Sequence, residues 1–256
     1  MGKSLIDVIS KGVTTISTNV ILLIDKSYSM VNEKIAEVNA SMPEILNKLV
    51  QVGKSSEIDV FVRVISYDSN VSWTIGSADK GVPAEEAVKQ WRNIQVGTST
   101  NTAGAIEECC KALNTKNFGV RNKKPVVILI TDGESDDFGK MKKATDKLKK
   151  MLSGETNKEK VIRVAIGIQQ SSQKELEYFA TKGKIKNGKD VKENQPFVFH
   201  VSDTNEIAEV IKNVTVSSLY SSIKGGAVDN PAGLVIDDTP IIDITKNTPD
   251  SWHDTK

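Results

Sequence analysis

Asp25, Ser27 and Ser29 alternate in DKSYS, directly after the apolar run VILLI of residues 20–24. Thr98, Thr100 and Thr102 alternate in TSTNT, and Asp132 closes a second apolar run in VVILITDGESDD. Carboxylates and hydroxyls without His or Cys form an all-oxygen donor set. Such a set suits a hard divalent cation, Mg²⁺ first, with Mn²⁺ or Ca²⁺ as alternatives. Asp25 and the two serines alone also read as a helix N-cap, because Ser and Asp satisfy free backbone amides. Three such groups placed at the ends of strands argue for a metal instead.

The elements around them must bring these groups together. Residues 20–24 and 126–131 read as strands buried on both faces. Ile35, Val38, Met42, Ile45, Leu46 and Leu49 share one face of a helix starting near Met30, with Glu33, Lys34, Glu37 and Lys48 on the wet face. The stretches 58–68 and 71–76 suggest a hairpin, the second being an antiparallel edge strand. Helices are expected at 83–91, 141–152, 172–181 and 205–223, a hydroxyl-rich loop running into another helix over 97–113, and further strands at 161–168 and 197–202. Strands alternating with helices imply right-handed crossovers, hence a doubly wound α/β fold: a mostly parallel sheet with helices on both faces. Ligands of such sheets gather outside the carboxyl ends of the strands, where all three polar groups fall.

Residues 1–16 read as an N-terminal extension, 17–223 as the domain, and 224–256 as a tail without helical periodicity or enough apolar surface for a core. The tail either drapes over the domain or docks on a partner, and Asp237, Asp238, Asp243 and Asp250 give it acids that could reach a metal. Lys+Arg 34 against Asp+Glu 33 leaves a formal net charge of +1, which offers no electrostatic case for nucleic acid or an anionic membrane. MGKSLIDVIS lacks the apolar core of a secretory signal, no stretch is long enough for a membrane span, and the only cysteines are the adjacent Cys109 and Cys110; a cytoplasmic location is expected. Both cysteines read as packing residues, and His200 as a core or sheet-edge residue without a nucleophile pattern beside it. Glu134, Asp136 and Asp137 read as solvated loop acids, and the lysines from Lys140 to Lys150 as a wet helical face.

DKSYS, then TNT, then TDG resembles the metal-ion-dependent adhesion site of von Willebrand factor A domains, a Rossmann-like fold, over roughly residues 17–220. The resemblance implies that Ser27, Ser29 and Thr100 ligate the metal directly and that Asp25 and Asp132 act largely through water. Thr100 is preferred because TNTAGAI opens a helix as the family's threonine loop does, with Thr98 and Thr102 as neighbouring registers. Neutral hydroxyls leave the ion electrophilic, so a partner protein's Asp or Glu completes its shell. Lys26, Tyr28 and Glu134 flank that socket as candidate partner contacts. Tyr28 stands where the family often has Gly, and a positive φ there would strain it; Lys26 would weaken metal binding if it turned inward. LLIDKSYSM and ILITDGESDD look most like intracellular bacterial TerY-type members, which implies a tellurite-resistance or stress-response setting beside a kinase or phosphatase.

Two rivals belong to other classes. A haloacid-dehalogenase-type phosphatase would use Asp25 as its nucleophile, but it needs a second Asp where this chain has Ser27. A metal-free scaffold would make its contacts through the tail or the basic helix, and would be indifferent to Ser27 and Asp132.

Overall fold

The structure, a computed structural model, describes residues 16–114, 122–152, 160–187, 190–224 and 235–237. The first apolar run lies in strand β1 (Ser17–Asp25), with Val20 to Ile24 fully buried. Successive side chains of a strand point to opposite faces. Val20, Leu22 and Ile24 therefore enter one core layer, and Ile21 and Leu23 the other.

The first layer is closed by helix α1 (Glu33–Ser55) through Val38, Met42, Ile45, Leu46 and Leu49. The strands β2 (Asp59–Tyr67), β3 (Val71–Ile75) and β4 (Val82–Pro83) follow, then helices α2 (Ala84–Gln90) and α3 (Thr102–Ala112). The buried Asn39 of α1 holds the segment after α2, donating to the Ile94 carbonyl at 2.9 Å and accepting its N–H at 2.8 Å. Ile106 and Cys109 of α3 pack into the second layer, with Met141 and Leu148 of α4 (Phe138–Lys150).

Between them runs β5 (Val126–Thr131), buried throughout. Next come β6 (Ile162–Ile168), α5 (Gln173–Phe179), β7 (Lys182–Asn187), β8 (Asp190–Pro196), β9 (Val198–Val201), α6 (Ile207–Lys224) and β10 (Val235–Asp237). Ile207, Ile211 and Leu219 of α6 join the α1 layer, and Leu176 and Phe179 of α5 the other.

The main sheet runs β3-β2-β1-β5-β6-β9, with β4 also pairing β2. β1 pairs in parallel with β2 and β5, β5 with β6, and β6 with β9. β3 is the antiparallel edge strand, and the two-residue β4 is antiparallel to β2 as well.

A second, three-stranded sheet, β10-β7-β8, was not expected from the sequence. Asn187-Gly188 is a hairpin signal, but alternating lysines and exposed polar residues hid the strands around it. This hairpin springs from the amino-terminal end of β6, where Thr181 N–H donates to Arg163 O at 2.9 Å and Phe197 N–H to Thr181 O at 2.9 Å. Tail residues Val235–Asp237 pair in parallel with Lys184–Lys186, so the backbone of Asp237 lies on the hairpin rather than at the carboxyl ends of β1 and β5. Asp238, Asp243 and Asp250, like residues 1–15, fall outside the described residues.

Both cysteines are buried and unbridged, and burial raises both thiols, Cys110 to about 11. His200 is exposed on the edge strand β9, its ring nitrogen bonded to Gln173. Among the described residues, no helix is long and apolar enough to cross a membrane.

Candidate metal centre

β1 and β5 are neighbours, so Asp25 and Asp132 leave the sheet side by side. Asp25 is fully buried, its Oδ1 accepting the Ser27 N–H at 2.8 Å and its Oδ2 the Thr131 hydroxyl at 2.6 Å. Burial is the main influence on its carboxyl. Together with the nearby Asp132 charge it outweighs these hydrogen bonds and raises the pKa to about 6. The Thr131 hydroxyl also accepts the Gly133 N–H at 3.2 Å, so one side chain organises both strand ends.

A short 3₁₀ turn (Tyr28–Met30) leads away from β1. Ser27 Oγ and Ser29 Oγ lie 3.0 Å apart, and the Ser29 hydroxyl donates to Asp132 Oδ1 at 2.6 Å. Ser27 Oγ, Ser29 Oγ and Asp132 Oδ1 thus form a continuous hydrogen-bonded chain of oxygens, which ends on the carboxylate as acceptor.

The third group arrives on the 97–101 loop, which is stitched to both others. Gly97 N–H donates to Lys26 O at 2.6 Å and Tyr28 N–H to Thr98 O at 2.7 Å. On the other side, Thr100 N–H donates to Asp136 Oδ1 at 2.9 Å and Asp136 N–H to Thr100 O at 3.0 Å. A Cβ on Gly97 would sit 1.8 Å from the Asp68 carboxylate, so only glycine permits this approach. Asn101 then caps α3, accepting the Gly104 N–H at 2.9 Å.

The structure therefore gathers Asp25, Ser27, Ser29 and Asp132 by direct contacts and ties the Thr100 backbone beside them. The Thr98 hydroxyl is shared with Ser69 at 2.9 Å, while Thr102 is the first residue of α3. Lys26 turns aside to pair with Asp68 at 3.5 Å. Tyr28 has no positive φ, so the strain expected there does not arise; its side chain stands 71% exposed, with Val31 also exposed nearby. Glu134 is exposed on the loop after β5.

Three features differ from the expectations. Asp136 is a clamp on the threonine loop, and Asp137 caps α4 by accepting the Lys140 N–H at 2.9 Å, so neither is a merely solvated acid. α1 begins at Glu33 rather than near Met30, because the 3₁₀ turn intervenes. Lys34, assigned to the wet face, folds back: its Nζ lies 2.5 Å from Asp132 Oδ2 and 3.1 Å from Ser29 O. Its signal was positional, since a cation in the first turn of a helix opposes the helix dipole unless an anion holds it.

The donor chemistry fits a hard cation. Among the described residues no cluster of three or more His, Cys, Asp or Glu is positioned to hold a metal. That leaves two carboxylates among neutral hydroxyls, with the Lys34 ammonium paired to one of them.

The family model of the von Willebrand factor type A domain matches residues 19–213, and the chain belongs to that family. Among solved structures, a von Willebrand factor type A protein from Catenulispora acidiphila superposes with a TM-score of 0.57 at 17% identity, covering 79% of this chain and 42% of that one. Proximal thread matrix protein 1 from the mussel byssus, described with a zinc-occupied MIDAS motif, gives 0.56 at 18% identity over 79% and 48%. The ArnB paralog VWA2 from Sulfolobus acidocaldarius gives 0.51 at 15% over 78% and 46%. This chain spans less than half the length of each, and at these identities the likeness is one of fold. No curated protein matches in sequence.

Proposed function

We propose that the chain is a non-catalytic, metal-dependent protein-interaction module. Asp25, Ser27, Ser29, Thr100 and Asp132 hold Mg²⁺, and an Asp or Glu of a protein partner completes its shell. The observation that carries this reading is the run from Ser27 Oγ through Ser29 Oγ to Asp132 Oδ1, at 3.0 and 2.6 Å, above a buried carboxylate. The zinc-occupied motif of the mussel protein supports a divalent ion at such a site. Thr100 is preferred because the Thr98 hydroxyl is engaged by Ser69 and Thr102 already belongs to α3. Exposed Tyr28, Val31 and Glu134 offer the partner surface; the Lys26 ammonium is held by Asp68. The full burial of Asp25 counts against phosphoryl transfer, since a nucleophilic carboxylate must reach its substrate. The TerY-like phrases favour a cytoplasmic bacterial setting, in stress or tellurite response, with a kinase or phosphatase as partner.

Calorimetric titration of Mg²⁺ and Mn²⁺ into the metal-stripped protein tests this beside a Ser27→Ala/Ser29→Ala variant of unchanged circular dichroism. Saturable binding by the parent and none by the variant is expected. Equal behaviour of the two proteins would refute the assigned site.

A further inference from the structure

Lys34 brings a positive charge into a site that is expected to take a metal. Its Nζ, 2.5 Å from Asp132 Oδ2, approaches the oxygen opposite the one that bonds Ser29. The Asp132 side chain is wholly buried, and that of Lys34 is 19% exposed. A surface ion pair would be worth little; this one is partly withdrawn from water, where attraction between charges is stronger. The turn that delivers it is held in an unfavourable backbone. Asn32, directly before α1, adopts φ 67° and ψ −128°, a combination that side chains other than glycine's resist. Asn32 lies between the serines and Lys34, so the strained residue sets where α1 begins relative to the site.

The charge count explains what this arrangement does. Asp25 and Asp132 together could neutralise a divalent ion. With the Lys34 ammonium on Asp132, the loaded site is one charge more positive than it would be without it, which weakens its hold on a metal alone and strengthens its attraction for an incoming carboxylate. We propose that Lys34 is a tethered counter-cation of this site, lowering its affinity for a free divalent ion and making metal retention depend on the carboxylate of a partner. The proposal deepens, and rests on, the metal-dependent reading given above. It makes Lys34 a residue that sets affinity and is not itself a ligand.

Manganese binding, read from the electron paramagnetic resonance signal of free Mn²⁺, tests this without a known partner. Parent, Lys34→Met, Lys34→Gln and Lys34→Arg proteins are titrated with and without acetate as the carboxylate probe, with circular dichroism confirming the fold. Removing a like charge at this range is expected to tighten Mn²⁺ binding by about tenfold or more in Lys34→Met and Lys34→Gln. Lys34→Arg should behave as the parent does. Acetate should tighten Mn²⁺ binding in the parent and do so much less in the neutral variants. Unchanged or weaker binding in folded neutral variants overturns the proposal and leaves Lys34 as a brace for Asp132. A Lys34→Met/Ser27→Ala/Ser29→Ala protein that still binds tightly overturns it too, because the ion then lies elsewhere. If neither the parent nor the neutral variants bind Mn²⁺ with or without acetate, the metal reading itself fails and takes the proposal with it.

Discussion

Asp25 shows how a residue legible from sequence can still behave unexpectedly. Its place after VILLI was readable because a carboxylate ending a doubly buried strand needs a reason. Its energetics were not, since they depend on Thr131, which reaches it from β5 at 2.6 Å, and on burial by both layers. With a folded pKa of about 6 against an ordinary 3.8, the metal-free protein binds more protons folded than unfolded between those values. Its stability should therefore fall as pH rises from about 4 to 6, by roughly 3 kcal/mol if Asp25 alone contributes. Urea unfolding of the metal-stripped protein across that range checks the sign. Metal binding should run the other way, weakening as pH falls through about 6 while the ion competes with the proton. The three threonines resisted assignment for another reason. Their alternation is symmetric in sequence, and only tertiary contacts distinguish a hydroxyl held by Ser69 from one at the start of a helix.

Among the elements, long periodic stretches were the most readable: α1, β1, β5 and the antiparallel edge β3 follow their hydrophobic patterns. Boundaries were harder, and the start of α1 matters most. The 3₁₀ turn and Asn32 shift that start to Glu33, and this shift brings Lys34 onto Asp132. Relief of the Asn32 conformation by Asn32→Gly should stabilise the fold by about 1 kcal/mol or more. For a domain of this size that is a rise of about 2–4 °C in Tm per kcal/mol, measurable by thermal unfolding. A fall in Tm would show that the Asn32 side chain contributes more than its backbone costs. The loop before α3 owes its path to Gly97, whose lack of a Cβ lets it pass against Asp68, and to Asp136, which grips both polar groups of the Thr100 backbone. Asp136 escaped recognition because a loop acid five residues past a strand end carries no periodicity.

For the whole molecule, the fold class followed from alternation alone, whereas the β10-β7-β8 sheet did not, because β7 and β8 consist mostly of lysines and other polar residues without apolar alternation. Its base is anchored at the amino-terminal end of β6, away from the candidate site at the carboxyl ends of β1 and β5. Truncation before Val235 should therefore speed amide exchange in β7 and leave exchange in β1 and β5 unchanged, as read by hydrogen–deuterium exchange. Slowed or unaltered exchange in β7 would mean that β10 does not protect it.

The far end of α1 restricts how the site could signal. Gly53 sits so close to the start of β2 that a Cβ there would lie 3.1 Å from the Val60 side chain and 3.0 Å from the preceding Ile58 O, and its own carbonyl accepts the Ile58 N–H at 2.9 Å. Packed in this way at its last turns, α1 should resist sliding along its axis, so that a change at its first turn stays local. The surface nearest that first turn carries the exposed Tyr28 and Val31.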